Sequence, residues 1–272
     1  MGAVASFVLM AIAGRAILQE INTFELMLYR SLIGLAVVVF FIARSQRGFA
    51  QIRTGIFGQH ITRNIFHFAG QNLWFYAIAM IPLSQLVALE FTSPLWVALL
   101  APLLLGERLT WQKLLVVFLG FIGVLIVARP GVSPITWGHV AGIGAALGFA
   151  FNAIFTRKIM RRDGVLTVLF WMTAMQSLFA LLLSSQGGIP WPSAQIWPWL
   201  VVVGFTGLSA HYCLTSALGL APASIVAPME FIRLPIIAIV GMWLYQEPIM
   251  ATVFIGGAVI LVANLLNLRL KS

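Results

Sequence analysis

The sequence predicts an all-α integral membrane protein, with ten transmembrane helices in two inverted five-helix repeats around a central cavity. Three observations carry that prediction. The 272 residues are 61% hydrophobic and 8% charged, with mean hydropathy +1.02, which excludes a soluble class. Apolar stretches follow one another almost without pause, and about 20 helical residues cross roughly 30 Å of hydrocarbon. Finally, the segment PLSQLVALEFTSPLWVALLAPLLLGE returns 140 positions later as PASIVAPMEFIRLPIIAIVGMWLYQE. Ala77, Pro82, Ser84, Glu90, Phe91, Ala98, Leu104 and Glu107 reappear as Ala217, Pro222, Ser224, Glu230, Phe231, Ala238, Leu244 and Glu247.

The spans are expected at Gly2–Leu18, Phe24–Ala43, Ile61–Met80, Leu83–Leu105 and Trp111–Ala128, then Trp137–Thr156, Val165–Ser184, Trp197–Leu218, Ala223–Tyr245 and Met250–Leu268. The first contains Arg15 and has no basic lead, unlike a signal peptide. Shifted by 142, its Phe7, Ala11, Ile12 and Arg15 match Phe149, Ala153, Ile154 and Arg157 of the sixth. It is therefore read as a retained span, with a native start expected upstream. The repeats are expected to occupy residues 1–129 and 135–268.

Charge placement sets orientation. With the N-terminus inside, the cytoplasmic side receives Arg44, Arg47, Arg53, Arg63, Arg108, Lys113, Arg157, Lys158, Arg161, Arg162, Arg269 and Lys271, while the other side keeps little beyond Arg129. Both termini are expected to be cytoplasmic by the positive-inside rule. The net charge of +9 thus reads as topology rather than as nucleic-acid binding. Five spans per repeat is odd, so the second repeat enters from the opposite side. In inverted repeats the site lies near the midplane, and rocking alternates access. Glu90 lies eight residues, about 12 Å, below one end of its span, and Glu230 as far from the opposite end of its own.

A charge inside hydrocarbon costs about 2.5–3.5 kcal/mol even on the insertion scale, so Glu90 and Glu230 are candidate substrate-binding residues. Arg233, three residues after Glu230, shares its helical face and can pair with it. The rival is a purely structural ion pair. Candidate partners for Glu90 are Arg30 and His67. His67 and Gln71 lie on one face of the third span, with Asn72 and Trp74 adjoining. Gln71 aligns with His211 and Asn72 with Tyr212, so two cavity walls are expected, and Asn152 and Gln176 join them as lesser candidates. Each of these is weighed against interhelical glue. Pro94, Pro228 and Pro235 free carbonyls beside the glutamates and predict kinks. Glu107 and Glu247 are assigned to capping or gating. Gln46 to His60 is expected as a short interfacial helix. No paired aspartates, H-E-x-x-H or Cys/His cluster is present, against an intramembrane enzyme and a metal site.

The repeat pattern, followed by FLGFIGVLIVARPG in one half and FIGGAVILVAN in the other, resembles the EamA family of the drug/metabolite transporter superfamily over essentially the whole chain. The segments RNIFHFAGQNLWFYAI and APMEFIRLP are similar to its S-adenosylmethionine-carrier branch. The resemblance implies alternating-access transport of a small polar metabolite (an amino acid, S-adenosylmethionine, riboflavin or similar) across a bacterial inner membrane, by proton coupling or exchange. A passive channel is the alternative. The expected partners are a small-molecule substrate and the lipid bilayer, with no cofactor, no metal and no nucleic acid, and the unit is a monomer or homodimer.

Overall fold

The computed structural model describes residues 2–106, 110–129, 134–185, 188–220 and 230–270, with the backbone alone at 105 and 215–220. Glu107 and Pro228 lie outside the described residues. In chain order the α-helices are α1 (Gly2–Ile17), α2 (Thr23–Arg44), α3 (Phe57–Met80), α4 (Leu83–Glu90), α5 (Ser93–Leu105), α6 (Trp111–Ala128), α7 (Trp137–Ile159), α8 (Val165–Ser184), α9 (Trp197–Leu220), α10 (Arg233–Tyr245) and α11 (Ala251–Arg269). Among the described residues, six stretches are long and apolar enough to cross a bilayer: α2, the Leu83–Leu104 run through α4 and α5, α6, α7, α8 and α11.

Local sequence explains the ends. Asn22 accepts from the backbone N–H groups of Phe24 and Glu25 while Glu25 accepts from the Asn22 N–H, a reciprocal cap that starts α2. Thr110 caps α6 through the Lys113 N–H. Gly106 closes α5 in the left-handed conformation, φ 69°, and Gln246 closes α10 in the same way, φ 56°. These two stand 140 positions apart, at matching places in the repeat.

Helices from before residue 130 pack on helices from after residue 136: α1 on α9, α2 on α8, α3 on α7, α4 on α10 and α6 on α11. The pairs run antiparallel. Ser6 meets Ser209, with Gly2 against Cys213; Gly34 meets Thr173 and Arg30 meets Gln176. Glycine sets the closest approaches: a Cβ on Gly123 would lie 2.7 Å from the Gly256 carbonyl oxygen, and one on Gly148 would lie 2.9 Å from the Gly70 Cα. Small residues at such crossings let helices meet without apolar driving force between them.

Three expectations are corrected. The Leu83–Leu105 span is not one kinked helix but breaks at Phe91–Thr92, so Pro94 sits in the first turn of α5, where its missing N–H costs nothing. The freed Phe91 carbonyl accepts from Asn264 of α11 at 2.8 Å. Secondly, Gln46–His60 holds only a 3₁₀ turn, Gly48–Ile52, because α3 starts already at Phe57. Arg63 is not in a cytoplasmic connection but 3% exposed inside α3, bound by Thr156 and Asn64. The third concerns Tyr212, which is 59% exposed and faces away from the polar interior that its alignment with Asn72 suggested.

Candidate functional site

The two matched spans are interrupted at matching places. α4 ends at Glu90 and α5 begins at Ser93; in the second copy a turn at Ile232 precedes α10, which begins at Arg233. Pro94 and Pro235 stand just inside the new helices, where the missing amide is tolerated. Each break delivers its Glu-Phe pair to the contact between α4 and α10. Phe91 stacks on Phe231, with centroids 4.8 Å apart and 27° between planes.

Arg233 Nη2 donates to Glu90 Oε1 at 2.7 Å. Trp74 Nε1 donates to the other oxygen, Oε2, at 2.8 Å. The guanidinium carbon lies 4.7 Å from the Phe7 ring centroid and 5.0 Å from that of Phe91. The cation is therefore held between two aromatic faces. Its Nε and Nη1 are buried with no partner. Sequence spacing suggested Glu230 as the partner of Arg233, and Arg30 or His67 as that of Glu90; the structure overturns both. Starting α10 at Arg233 puts it beyond the turn from Glu230 and aims it across to the first copy.

A second polar group continues from the first. Phe7 meets His211 edge to face at 6.5 Å, and His211 meets His67 at 5.0 Å. His67 Nδ1 lies 2.7 Å from Gln176 Nε2, whose Oε1 accepts from Arg30 Nη1 at 3.4 Å. Gln176 was a lesser candidate beside Asn152, and Phe7 was not among the predicted site residues. Phe7 carried a usable signal, since it matches Phe149 in the repeat. Gln71 and Asn72 are buried, Asn72 bonding the Phe68 carbonyl of its own helix. The Oδ1 of Asn152 is buried and unpartnered, but no contact joins it to this string.

At one end of α4 stands a separate closure. Arg15 pairs with Glu247 and also donates to the carbonyls of Ile78 (2.9 Å from Nε) and Ile81 (2.7 Å) at the end of α3. Glu247 Oε2 accepts from the Leu83 N–H at 2.9 Å, and the Arg15 guanidinium covers the Tyr245 ring at 4.6 Å. The expectation that Glu247 caps the helix that follows it is corrected. It caps α4 of the other copy, satisfying orphan amides there.

A riboflavin transporter of Brucella anthropi is 34% identical over 231 residues, covering 83% of this chain and 81% of the relative. An S-adenosylmethionine uptake transporter of Rickettsia prowazekii is 27% identical over 244 residues, covering 89% and 81%. A solved crystal structure described only as that of a protein shares the fold, with TM-score 0.65 and 18% identity over 100% of this chain and 97% of that one. The profile of the EamA-like transporter family matches residues 1–129 and 136–269, so the chain belongs to that family, a multi-pass membrane transporter rather than an enzyme.

Proposed function

We propose that the chain is an alternating-access carrier of a small polar organic metabolite in a bacterial inner membrane, with ten spans in two inverted repeats and both termini cytoplasmic. The antiparallel packing of sequence-equivalent helices, α2 on α8 and α6 on α11, supports the inversion. Exchanging the copies also turns the α1·α9 contact into α7·α3 and the α2·α9 contact into α8·α3, each of which is found.

One observation carries the reading: a largely buried ion pair, Glu90–Arg233, joins the two copies where both helices break, and two of the three guanidinium nitrogens have no partner. An unmet buried donor costs about 1–3 kcal/mol. A solute that offers an acceptor to Arg233, or a cation to Glu90, recovers that energy and competes with the pair. Pairing of one copy with the other then changes as the solute binds, which couples occupancy to rocking. Phe91 and Phe231 supply a π-face for a ring, in keeping with relatives named for riboflavin and S-adenosylmethionine. Arg15–Glu247 serves as the gate on one face of the chamber.

The test is counterflow in proteoliposomes with radiolabelled riboflavin and S-adenosylmethionine among a panel of amino acids. Saturable counterflow that Glu90→Gln lowers at least tenfold is expected for a carrier. Non-saturable flux without counterflow overturns it in favour of a channel.

A further inference from the structure

Arg30 is 4% exposed in the interior, yet among the described residues it bonds no carboxylate. Its Nε has no partner, and Nη1 reaches only the Gln176 amide oxygen at 3.4 Å and the Met27 sulfur at 3.8 Å. The other charged group nearby is again a cation. Arg63, one turn before His67 on α3, is bound by Thr156, Asn64 and the Met172 sulfur, also without an acid. Two guanidiniums in the interior without a counter-charge are expensive, because an uncompensated buried charge costs several kcal/mol.

The surroundings are built for an occupant. Gly207 stands where any side chain would strike the guanidinium, since a Cβ there would lie 2.6 Å from Arg30 Nη2. A small pocket between α2, α8 and α9 is lined by Arg30, Ser31, Thr173, Gln176 and Gly207. Buried and unpartnered within the same group are the Ser31 hydroxyl and the Nε2 of His67. The described acids are engaged elsewhere: Glu20 with Ser193, Glu25 in the α2 cap, Glu90 with Arg233, Asp163 with His60 and Glu247 with Arg15. Glu230, the remaining one, stands on the α4–α10 side of the interior, where Arg233 and Glu90 act on it.

We propose that Arg30, with Gln176, Ser31 and His67 around it, forms an oxyanion subsite that takes a carboxylate or phosphate group of the transported solute. The planar fork of an arginine matches a two-oxygen anion. A string of side chains in contact runs from Arg233 through Phe7, His211, His67 and Gln176 to Arg30, so a solute bound along it carries its anionic group at one end and a ring or amine at the Phe91–Glu90 end. This inference rests on the transport reading for the identity of the occupant, but the anion subsite is testable without transport.

Purified full-length protein in neutral detergent, free of anionic lipid and at constant ionic strength, is melted with benzoate, with its uncharged isostere benzamide and with inorganic phosphate. Benzoate or phosphate is expected to stabilise wild type, and benzamide is not. Arg30→Gln is expected to weaken the anion response roughly tenfold or more. Should Arg30→Gln fail to elute as a single species, Arg30→Lys keeps the charge but not the fork, and a similar weakening is expected. Equal responses to benzoate and benzamide in wild type, or an unweakened anion response in the Arg30 variants, overturn the proposal. So does stabilisation by phosphatidylglycerol alone, which assigns the subsite to a lipid headgroup. Counterflow of any solute without an anion response rejects the subsite and leaves transport standing; an anion response with no counterflow does the reverse.

Discussion

Phe91 and Phe231, the same residue of two copies 140 positions apart, lie against each other with ring centroids 4.8 Å apart. Each follows the glutamate of its own copy, so the stack fixes where the two breaks meet and brings Arg233 of one copy onto Glu90 of the other. Replacing Phe231 with Ala removes the stack. Truncating a packed aromatic costs about 3–5 kcal/mol, and a lower melting temperature together with weaker solute binding is the expected outcome.

Removing one partner of a buried pair leaves the other charge uncompensated, at a cost of about 3–5 kcal/mol. Arg233→Leu is therefore expected to be less stable than the double variant Arg233→Leu with Glu90→Gln. Melting of the four corners of the double-mutant cycle checks this. Additive effects reject the pairing seen between Arg233 and Glu90.

If Arg15 and Glu247 gate one face, Glu247→Gln loosens it. Ala11, one turn further along α1 and 2% exposed, becomes reachable. In a Cys213→Ser background, Ala11→Cys is expected to react with a membrane-impermeant maleimide several-fold faster when Glu247 is Gln. Equal labelling rates rule the gate out.

Gln246 holds a left-handed conformation at φ 56°, whereas its counterpart in the first copy is Gly106. That conformation strains a non-glycine residue by about 1 kcal/mol. Gln246→Gly, read by thermal melting, is expected to raise stability, with the opposite sign for Gly106→Gln.

The loop before α2 carries a pH-dependent tie. The Ser193 hydroxyl, then its backbone N–H, donate to Glu20 and hold its carboxyl below the ordinary value. A lowered folded-state pKa stabilises above the unfolded value and loses that effect as pH falls through the lowered one. The melting difference between wild type and Glu20→Gln is thus expected to be present at neutral pH and absent in strong acid.

Much of the fold was legible in the chain because hydrocarbon is a severe solvent. Hydropathy marked the spans, and the repeat marked Glu90, Glu230 and Phe91 together. Trp74 was named as a candidate and does bind Glu90. The partners were less legible. Arg63 was counted with the cytoplasmic cations although it stands inside the expected Ile61–Met80 span, because charge was tallied without regard to burial, and the structure buries it within α3. Arg233 looked like the partner of Glu230 because helical spacing was assumed across a turn.

By itself the sequence determined that the chain is membrane-embedded and that its pattern is doubled, since periodicity and burial cost act along one chain. Only the tertiary structure decided that Arg233 answers Glu90, that Glu247 caps α4 of the other copy and that Arg30 meets Gln176. Each of those is a meeting of residues about 140 or more positions apart, and such distances are set by how two copies pack, which no local spacing encodes.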